Sequence, residues 1–529
     1  GGDDDLSSEL TEGIALLTAR RKRVKGADRE IVKATLELLG SDASQRERID
    51  AALSQELADA LSRHPDRAEA TRLPAPLGVD VDRERGRFGT WYELFPRSWG
   101  GFVGVEKQLP RFAELGVDVL YFPPIHPIGH THRKGPNNAL TAAKGDPGSP
   151  WAIGAEDGGH TAIHHELGTA DDFERLVNQA RDHGIEIALD IALQCSPDHP
   201  WLAEHPEWFS RRPDGTLKYA ENPPKKYQDI YNLNFDSKDW RSLWQALLDV
   251  LLHWVRQGVH IFRVDNPHTK PLGFWEWVIR RVREEEPAVI FLSEAFTRPQ
   301  LMYALAKAGF SQSYTYFTWR TSRGELTDYF TELAGPEVSE FFRPNLFANT
   351  PDILHEYLQK GGRPAFEARM VLAATLGPSY GIYSGFENCE GVPVREGSEE
   401  YMDSEKYEVK KRALDGQLLP LFRLLNTIRR ESAALQFVDD ISFLETENDG
   451  LIAYAKGART GRGTMITCVN LDPHAAREGV VTVPEYLGLP RSFIARDLLT
   501  GATYPWQVGR NYVRLDPETA VAHVLRVEA

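Results

Sequence analysis

Apolar positions along this chain change their spacing twice. Over residues 1–85 they follow a helical period: Ile31, Leu38 and Leu39 mark one amphipathic stretch that stops at Gly40, and Ile49, Leu53, Leu57 and Leu61 mark a second face. Ser44-x-x-Glu47 opens the second stretch as a capping box, in which the serine oxygen accepts from an amide three residues on and the glutamate reaches back. The spacing predicts a helical N-terminal segment, a helix pair suited to packing or to a dimer contact, followed by the Pro-containing linker Arg72–Val81.

From Phe88 to about Gln417, short apolar runs alternate with helix-length segments, the mark of parallel βα units. The predicted strands are Thr90–Phe95, Val117–Phe122, Ile185–Ile191, His260–Asp265, Val289–Glu294, Gln312–Phe317, Asn345–Asn349 and Tyr380–Ser384. Eight such strands specify an α/β architecture, a (β/α)8 TIM barrel over residues 86–434. An open doubly wound sheet would need a Gly-rich phosphate turn directly after the first strand, where this chain has Glu93-Leu94-Phe95-Pro96-Arg97. Two inserted loops, 126–171 and 194–240, are longer than a βα connection requires. Both are rich in Pro, Gly, aromatic and charged residues, so they are expected to fold over the catalytic face as substrate walls. After a last barrel helix, Leu418–Arg430, the period becomes that of strands: Leu451–Lys456, Thr464–Leu471, Gly479–Val483, Ser492–Asp497 and Ala520–Val527. These predict a C-terminal β-sandwich over residues 435–529.

Composition narrows the function. Apolar residues at 41% and charged residues at 26% are the balance of a soluble globular protein. No apolar run approaches the roughly eighteen residues of a membrane span. Cys195, Cys389 and Cys468 are odd in number and lack the paired spacing of a zinc site or a disulfide framework, and residues 1–10 lack a basic-then-apolar leader. A cytoplasmic location is expected. A net charge of −16 argues against nucleic acid, which needs a basic surface. It suits a neutral polymer such as a glucan and leaves room for a small anion, because local Lys and Arg outweigh a distant screened field.

A TIM barrel gathers its chemistry at the carboxyl ends of its strands, and three carboxylates stand there: Asp265 ending strand four, Glu294 ending strand five and Asp352 after strand seven. Glycosyl transfer with retention needs two carboxyl groups roughly 5 Å apart, one attacking the anomeric carbon and one moving a proton. Adjacent strands supply that spacing for Asp265 and Glu294. Arg263, two residues before Asp265, points to the same face and would orient its carboxylate. His126, His130 and His132 lie in a Pro-rich loop with no helix to bring two ligands to one side, so no metal is expected. Trp151, Trp201, Trp208 and Tyr357 are candidates for stacking on sugar rings or for the core.

Arg263-x-Asp265, the Glu294 strand end, the Asp352 turn and Leu189-Asp190 resemble the four short motifs of the α-amylase clan of glycoside hydrolases. Two features depart from the common amylase pattern: Gln194-Cys195 stands where many members have Asn-His, and Thr350-Pro351 where they have a histidine before the last aspartate. Those departures, together with Asp190-Ile-Ala-Leu-Gln-Cys-Ser-Pro-Asp-His-Pro200, His132-Arg-Lys-Gly135 and Asn222-Pro-Pro-Lys-Lys-Tyr-Gln-Asp229, resemble the bacterial α-1,4-glucan:maltose-1-phosphate maltosyltransferases, the GlgE family. The resemblance implies a retaining transfer of maltosyl units from α-maltose 1-phosphate to the non-reducing end of an α-1,4-glucan. It also implies phosphate as product, a homodimer, and no cofactor or required metal. It makes Asp265 the nucleophile, Glu294 the proton donor and Asp352 the transition-state stabiliser. Lys134, Gln194, Asp229, Asn266, Lys406 and Tyr407 match the family's donor-sugar contacts, and Asn222, Lys225, Tyr227 and Asn266 are candidates for the phosphate. The family carries an N-terminal β-sandwich interrupted by a helical insert, where this chain has about 85 largely helical residues. The alternatives are an α-amylase-like hydrolase and a non-catalytic glucan-binding barrel.

Overall fold

The computed structural model describes residues 5–68, 70–222 and 225–528, the side chain of Asn222 excepted. Two compact units are formed, Gly1–Val81 and Asp82–Ala529.

The described residues of the first unit form four helices, α1 (Ser7–Arg21), α2 (Ala27–Leu39), α3 (Gln45–Ala52) and α4 (Gln55–Arg63). Leu10, Leu17, Val24, Val32, Leu39 and Leu57 make their common core. The capping box is formed: the Glu47 amide donates to Ser44 Oγ at 3.3 Å, and the Ser44 amide donates to Glu47 Oε2 at 2.9 Å. The stretch it opens is nevertheless two helices. Ser54 accepts from the Leu57 amide at 3.3 Å and starts α4, because a serine oxygen that takes an N-terminal amide favours a new cap over continuation. Leu53, at that junction, is 80% exposed and leaves the predicted face. In α2 the buried face is Val32, Thr35 and Leu39, and Leu38 points outward. Replacing Ser44 with Ala removes the α3 cap; hydrogen exchange of the α3 amides is expected to quicken about fivefold, with barrel amides unchanged.

In the second unit the barrel strands are β1 (Gly89–Glu93), β2 (Val119–Phe122), β3 (Glu186–Ile191), β4 (Ile261–Val264), β5 (Ile290–Ser293), β6 (Gln312–Ser313), β7 (Asn345–Phe347) and β8 (Ser379–Tyr383). They pair in parallel in that order, and β8 returns to β1 with Thr90 opposite Tyr380. The remaining seam, β6 to β7, is closed by a Ser313–Pro344 bridge and by Asn345 Nδ2 donating to Gln312 Oε1 at 3.1 Å. The sixth strand is shorter than expected: Thr315 accepts from the Phe317 amide and turns Tyr316–Trp319 into a 3-10 turn.

Alternation along the strands decides what fills the barrel. Trp91, Val119, Tyr121, Ala188, Ile261, Ile290, Leu292 and Phe347 form the inner core, with Tyr314 stacked on Phe347 at 4.6 Å. Their neighbours Tyr92, Leu120, Phe122, Ile187, Leu189, Phe262, Val264 and Phe291 face the helix layer. Two-residue steps from the inner set reach Glu93, Asp190, Arg263, Asp265 and Glu294, so the same alternation that packs the barrel places these polar groups at its carboxyl mouth. Over the mouth, loop 194–240 carries a three-stranded antiparallel sheet: Gln194–Cys195 pairs with Lys225–Asn232, which pairs with Tyr219–Asn222.

The C-terminal strands are β9 (Ile441–Thr446), β10 (Leu451–Lys456), β11 (Met465–Asn470), β12 (Arg477–Val483), β13 (Ser492–Asp497), β14 (Thr503–Gln507), β15 (Gly509–Leu515) and β16 (Ala522–Glu528). They pair antiparallel in the order β14-β13-β16-β11-β10-β9-β12-β15. The β9 strand pairs with β10 over Ile441–Leu444 and with β12 over Glu445–Thr446, so it turns the corner that folds the sheet over one core of Leu451, Ile466, Val481, Phe493, Trp506 and Val513. The prediction lacked β9, β14 and β15. Pro505 falls inside β14, a strand the apolar pattern hides, and β14 lies at the sheet edge where proline is tolerated. In β15 a polar residue, Asn511, holds an inward position, with its amide bonded to the Gln507 backbone at 2.8 and 2.9 Å.

Candidate active site

One guanidinium organises the barrel mouth. Arg263 Nη1 donates to Asp190 Oδ2 at 3.0 Å and to Asp265 Oδ1 at 3.2 Å, and Nη2 lies 2.8 Å from Glu294 Oε1. The guanidinium thus bridges the Asp265 and Glu294 carboxyl groups across the barrel mouth. Tyr121 OH donates to Asp190 Oδ2 at 2.5 Å, so the same oxygen that meets Arg263 is held by a second donor and Asp190 serves to hold Arg263. Asn266, at φ 44°, turns its amide back to Glu294 Oε2 at 3.2 Å and its side chain toward Asp265 at 3.5 Å. On the opposite wall Asp352 is ion-paired with Lys406, which lies 5.5 Å from the Trp151 ring centre and 5.8 Å from that of Tyr407.

Electrostatics separate the carboxyl groups. Burial, followed by the neighbouring carboxylates, raises Glu294 above the ordinary glutamate range against the opposing pull of Arg263. Burial also raises Asp190. Desolvation pushes Asp352 up although its side chain is 37% exposed, yet the Lys406 ammonium holds it below the usual range. The site therefore contains an acid that keeps its proton and a carboxylate that stays ionised, the pairing that general acid chemistry requires.

Asp265, Asn266, Glu294, Asp352 and Lys406 line a cavity of about 600 Å³. Of the sequence-predicted residues, Asp265, Glu294, Asp352, Gln194, Asp229, Asn266, Lys225, Tyr227, Lys406 and Tyr407 all face it. Arg263 lies beneath it. Lys134 is buried behind the wall, donating to Gln228 Oε1 at 2.5 Å and to the Lys226 carbonyl at 3.4 Å, so it anchors the hairpin that carries the lining residues. The side chain of Asn222 lies outside the described residues. Gln194 Nε2 reaches the Trp151 carbonyl at 3.4 Å. Asp229 is buried with Oδ1 unpartnered, which leaves a free acceptor at the cavity wall.

Of the four aromatic candidates, Trp151 lines the cavity. Trp201 stacks on His160 at 5.2 Å, Trp208 stacks on His205 at 3.8 Å, and Tyr357 donates to the Leu471 carbonyl at 2.9 Å. Phe235, Phe296 and Trp319 line the cavity in their place. The sequence reading also passed over Glu93 and Lys270. Glu93 ends β1 on the inward alternation, is 1% exposed with Oε2 unpartnered, and is pushed well above the carboxylate range by burial. It obeys the strand-end rule that found the other carboxylates. Lys270 faces the cavity, donates to the Asn266 carbonyl at 3.4 Å and is lowered by burial.

Among the described residues, the groups of potential metal ligands that converge are His160–Cys195–His199 and His205–Glu207–Asp239; neither includes His126, His130 or His132, although the His126 ring packs 5.8 Å from that of His160. In the first group the nitrogens are already engaged. The Trp201 amide donates to His199 Nδ1 at 3.1 Å, His199 Nε2 lies 3.1 Å from His160 Nδ1, and His160 Nε2 lies 3.0 Å from the Ala192 carbonyl. One tautomer satisfies all three contacts with both rings neutral, in keeping with burial lowering His160 to about 4 and His199 to about 2. The relay fixes the backbone just before Gln194.

Three family models match the chain: α-1,4-glucan:maltose-1-phosphate maltosyltransferase domain N/S over residues 2–83, the α-amylase catalytic domain over 90–271, and the GlgE C-terminal domain over 443–527. The chain is 53% identical over 546 residues to α-1,4-glucan:maltose-1-phosphate maltosyltransferase 1 of Streptomyces coelicolor, covering 100% of this chain and 80% of the relative. Relatives bearing the same enzyme name are 50% identical in Rhodospirillum rubrum, over 99% of this chain and 78% of that protein, and 48% identical in Mycobacterium tuberculosis, over 100% and 78%. Among solved structures, the maltogenic α-amylase AmyB of Thermotoga neapolitana superposes with a TM-score of 0.66 at 19% identity, covering 84% of this chain and 100% of that one. An α-amylase of Lactobacillus plantarum reaches 0.64 at 23% identity over the same shares.

Proposed function

The chain belongs to the α-1,4-glucan:maltose-1-phosphate maltosyltransferase family, and we propose that it works through a maltosyl–Asp265 intermediate held by the Arg263 network. It is a maltosyltransferase, moving maltosyl units from α-maltose 1-phosphate to α-1,4-glucan with release of phosphate. The observation that carries the mechanism is the single guanidinium joining Asp190, Asp265 and Glu294 at the mouth of the cavity.

In the first half-reaction an Asp265 oxygen attacks the anomeric carbon, the bond from that carbon to the phosphate oxygen breaks, and the electron pair leaves with phosphate, which takes up the Glu294 proton. Inorganic phosphate departs as an anion, so it needs positive charge and hydrogen-bond donors more than full protonation. Lys225 and Tyr227 on the hairpin, with Asn266, supply donors on the cavity wall. In the second half-reaction Glu294, now ionised, takes the proton of the acceptor 4-hydroxyl as that oxygen attacks the same carbon and frees Asp265. Asp352, kept ionised by Lys406, faces the sugar as positive charge develops. Gln194, Asp229, Lys406 and Tyr407 orient the donor sugars.

The decisive assay is phosphate release from α-maltose 1-phosphate with and without added maltooligosaccharide. Release that depends on the acceptor is expected, and free maltose from starch with no phosphate dependence would replace transfer by hydrolysis. Because Glu294 acts first in its protonated form and its affinity for the proton is raised, kcat/KM for the donor is expected to hold through neutral pH and to fall only as Glu294 ionises above its ordinary range. An alkaline limb centred near pH 4–5, the range of an unperturbed carboxyl group, would remove Glu294 from this role. We further propose a cytoplasmic homodimer, supported by the family resemblance and by three free cysteines. Light scattering of the full chain is expected to give twice its 59.6 kDa mass.

A further inference from the structure

The cations around the cavity differ in what they hold. Lys406 pairs with Asp352, Lys134 is tied to the hairpin, and Lys270 lies against the Asn266 carbonyl. Lys225 alone among these points from the cavity wall to a carboxylate outside the reacting set: its Nζ lies 2.5 Å from Glu400 Oε1. Lys225 lines the cavity, and Glu400 is not among the lining residues.

The two partners are unequally fixed. Glu400 belongs to the connection after β8, and that segment is pinned. The Val394 amide donates to the Glu400 carbonyl at 2.8 Å, the Leu354 amide donates to the Glu399 carbonyl at 2.6 Å, and the Trp319 indole donates to Glu399 Oε1 at 2.9 Å. Lys225 carries its ammonium on a flexible four-carbon stem whose side chain is 35% exposed. From its present position it already acts electrostatically on Asp352, across the cavity wall. Rotation about that stem can swing the ammonium from Glu400 toward the cavity that Lys225 lines.

We infer that Glu400 is a resident counter-ion that competes with phosphate for Lys225 and so limits how tightly product is held. This rests on the reading that Lys225 meets the donor phosphate. A lysine left unpaired beside a cavity binds inorganic phosphate as readily as it binds the phosphate of the donor, and the enzyme then stalls on its product. A fixed carboxylate within reach takes the ammonium back as phosphate leaves, and its negative charge repels a second phosphate. Glu400 acts only through Lys225, so it is a positioning residue and forms no bond with the reacting atoms.

The test uses the full chain with Glu400→Gln, Lys225→Met and both together, and reads inhibition of transfer by inorganic phosphate, donor KM and inhibition by maltose. Glu400→Gln is expected to lower the phosphate inhibition constant about tenfold and to lower donor KM in the same direction, with maltose inhibition unchanged. In the Lys225→Met background the Glu400 substitution is expected to change nothing. A phosphate constant that is unchanged or raised in Glu400→Gln, or a parallel change in maltose inhibition, overturns the inference while leaving Lys225 as a phosphate contact. Phosphate inhibition and donor KM both unmoved by Lys225→Met overturn the Lys225 reading itself.

Discussion

Replacing Asp265 with Ala is expected to lower kcat for phosphate release by about 10⁴-fold or more while leaving the affinity for donor and glucan within a few-fold of the parent. The size follows from what the residue alone supplies. Its carboxylate is the atom donor for the new bond, and three neighbouring carboxyl groups are committed elsewhere: Asp190 to Tyr121 and Arg263, Asp352 to Lys406, and Glu294 to the proton. Folding of the site should survive, because Arg263 keeps Asp190 at 3.0 Å and Glu294 at 2.8 Å when Asp265 is removed. Two measurements decide the matter, steady-state phosphate release and calorimetric titration of a maltooligosaccharide. A variant that retains a hundredth of the parent rate, or one that loses both rate and glucan binding together, would show that Asp265 is not the nucleophile.

The reasons why this site could be read from letters, and where it could not, are physical. Strand alternation is a strict two-residue period, so once Ile261 and Ile290 are placed inside the barrel, Arg263, Asp265 and Glu294 follow without any knowledge of the fold's other parts. Glu93 follows by the same count on β1 but has no basic or acidic neighbour in sequence to draw attention to it; its partners come from strands far away in the chain. Lys270 and Glu400 are legible in no local pattern, because what brings Lys270 to the cavity and Glu400 to Lys225 is the path of two loops. Loop paths rest on contacts such as the Gln194–Asn232 pairing and the Asn137–Asp403 bonds, which join distant segments. The N-terminal helices show the opposite limit. The capping box at Ser44 was legible because it is local, whereas the break at Leu53 was not, because Ser54 competes as a cap inside a stretch whose apolar spacing alone reads as continuous.

Replacing Glu294 with Ala should divide the reaction in two. The two half-reactions make unequal demands on a proton: phosphate leaves as a stable anion with a pKa of about 6, whereas a glucan hydroxyl must lose its proton to attack. The first step is therefore expected to slow by about tenfold to a hundredfold and the second by about 10⁴-fold. Mixed with α-maltose 1-phosphate, the variant should release close to one equivalent of phosphate per active site and then stall with the maltosyl group on Asp265, even when maltooligosaccharide is present. Azide, a nucleophile that carries no proton to be removed, should restore turnover and yield a maltosyl azide of α configuration only if it enters from the face that the acceptor uses. Rapid-quench measurement of phosphate gives the burst, and mass spectrometry of the digested variant locates the label. The side chain's other contacts sharpen the test. Its loss frees the Asn266 amide and one face of Arg263, but Asp190 and Asp265 still fix the guanidinium, so a slow first step cannot be put down to a collapsed site. A variant that turns over steadily without a burst would mean that another group serves the acceptor. A variant that releases no phosphate at all would mean that the leaving group needs Glu294's proton after all, which is the behaviour of an enzyme built for sugar–sugar bonds rather than for a sugar phosphate.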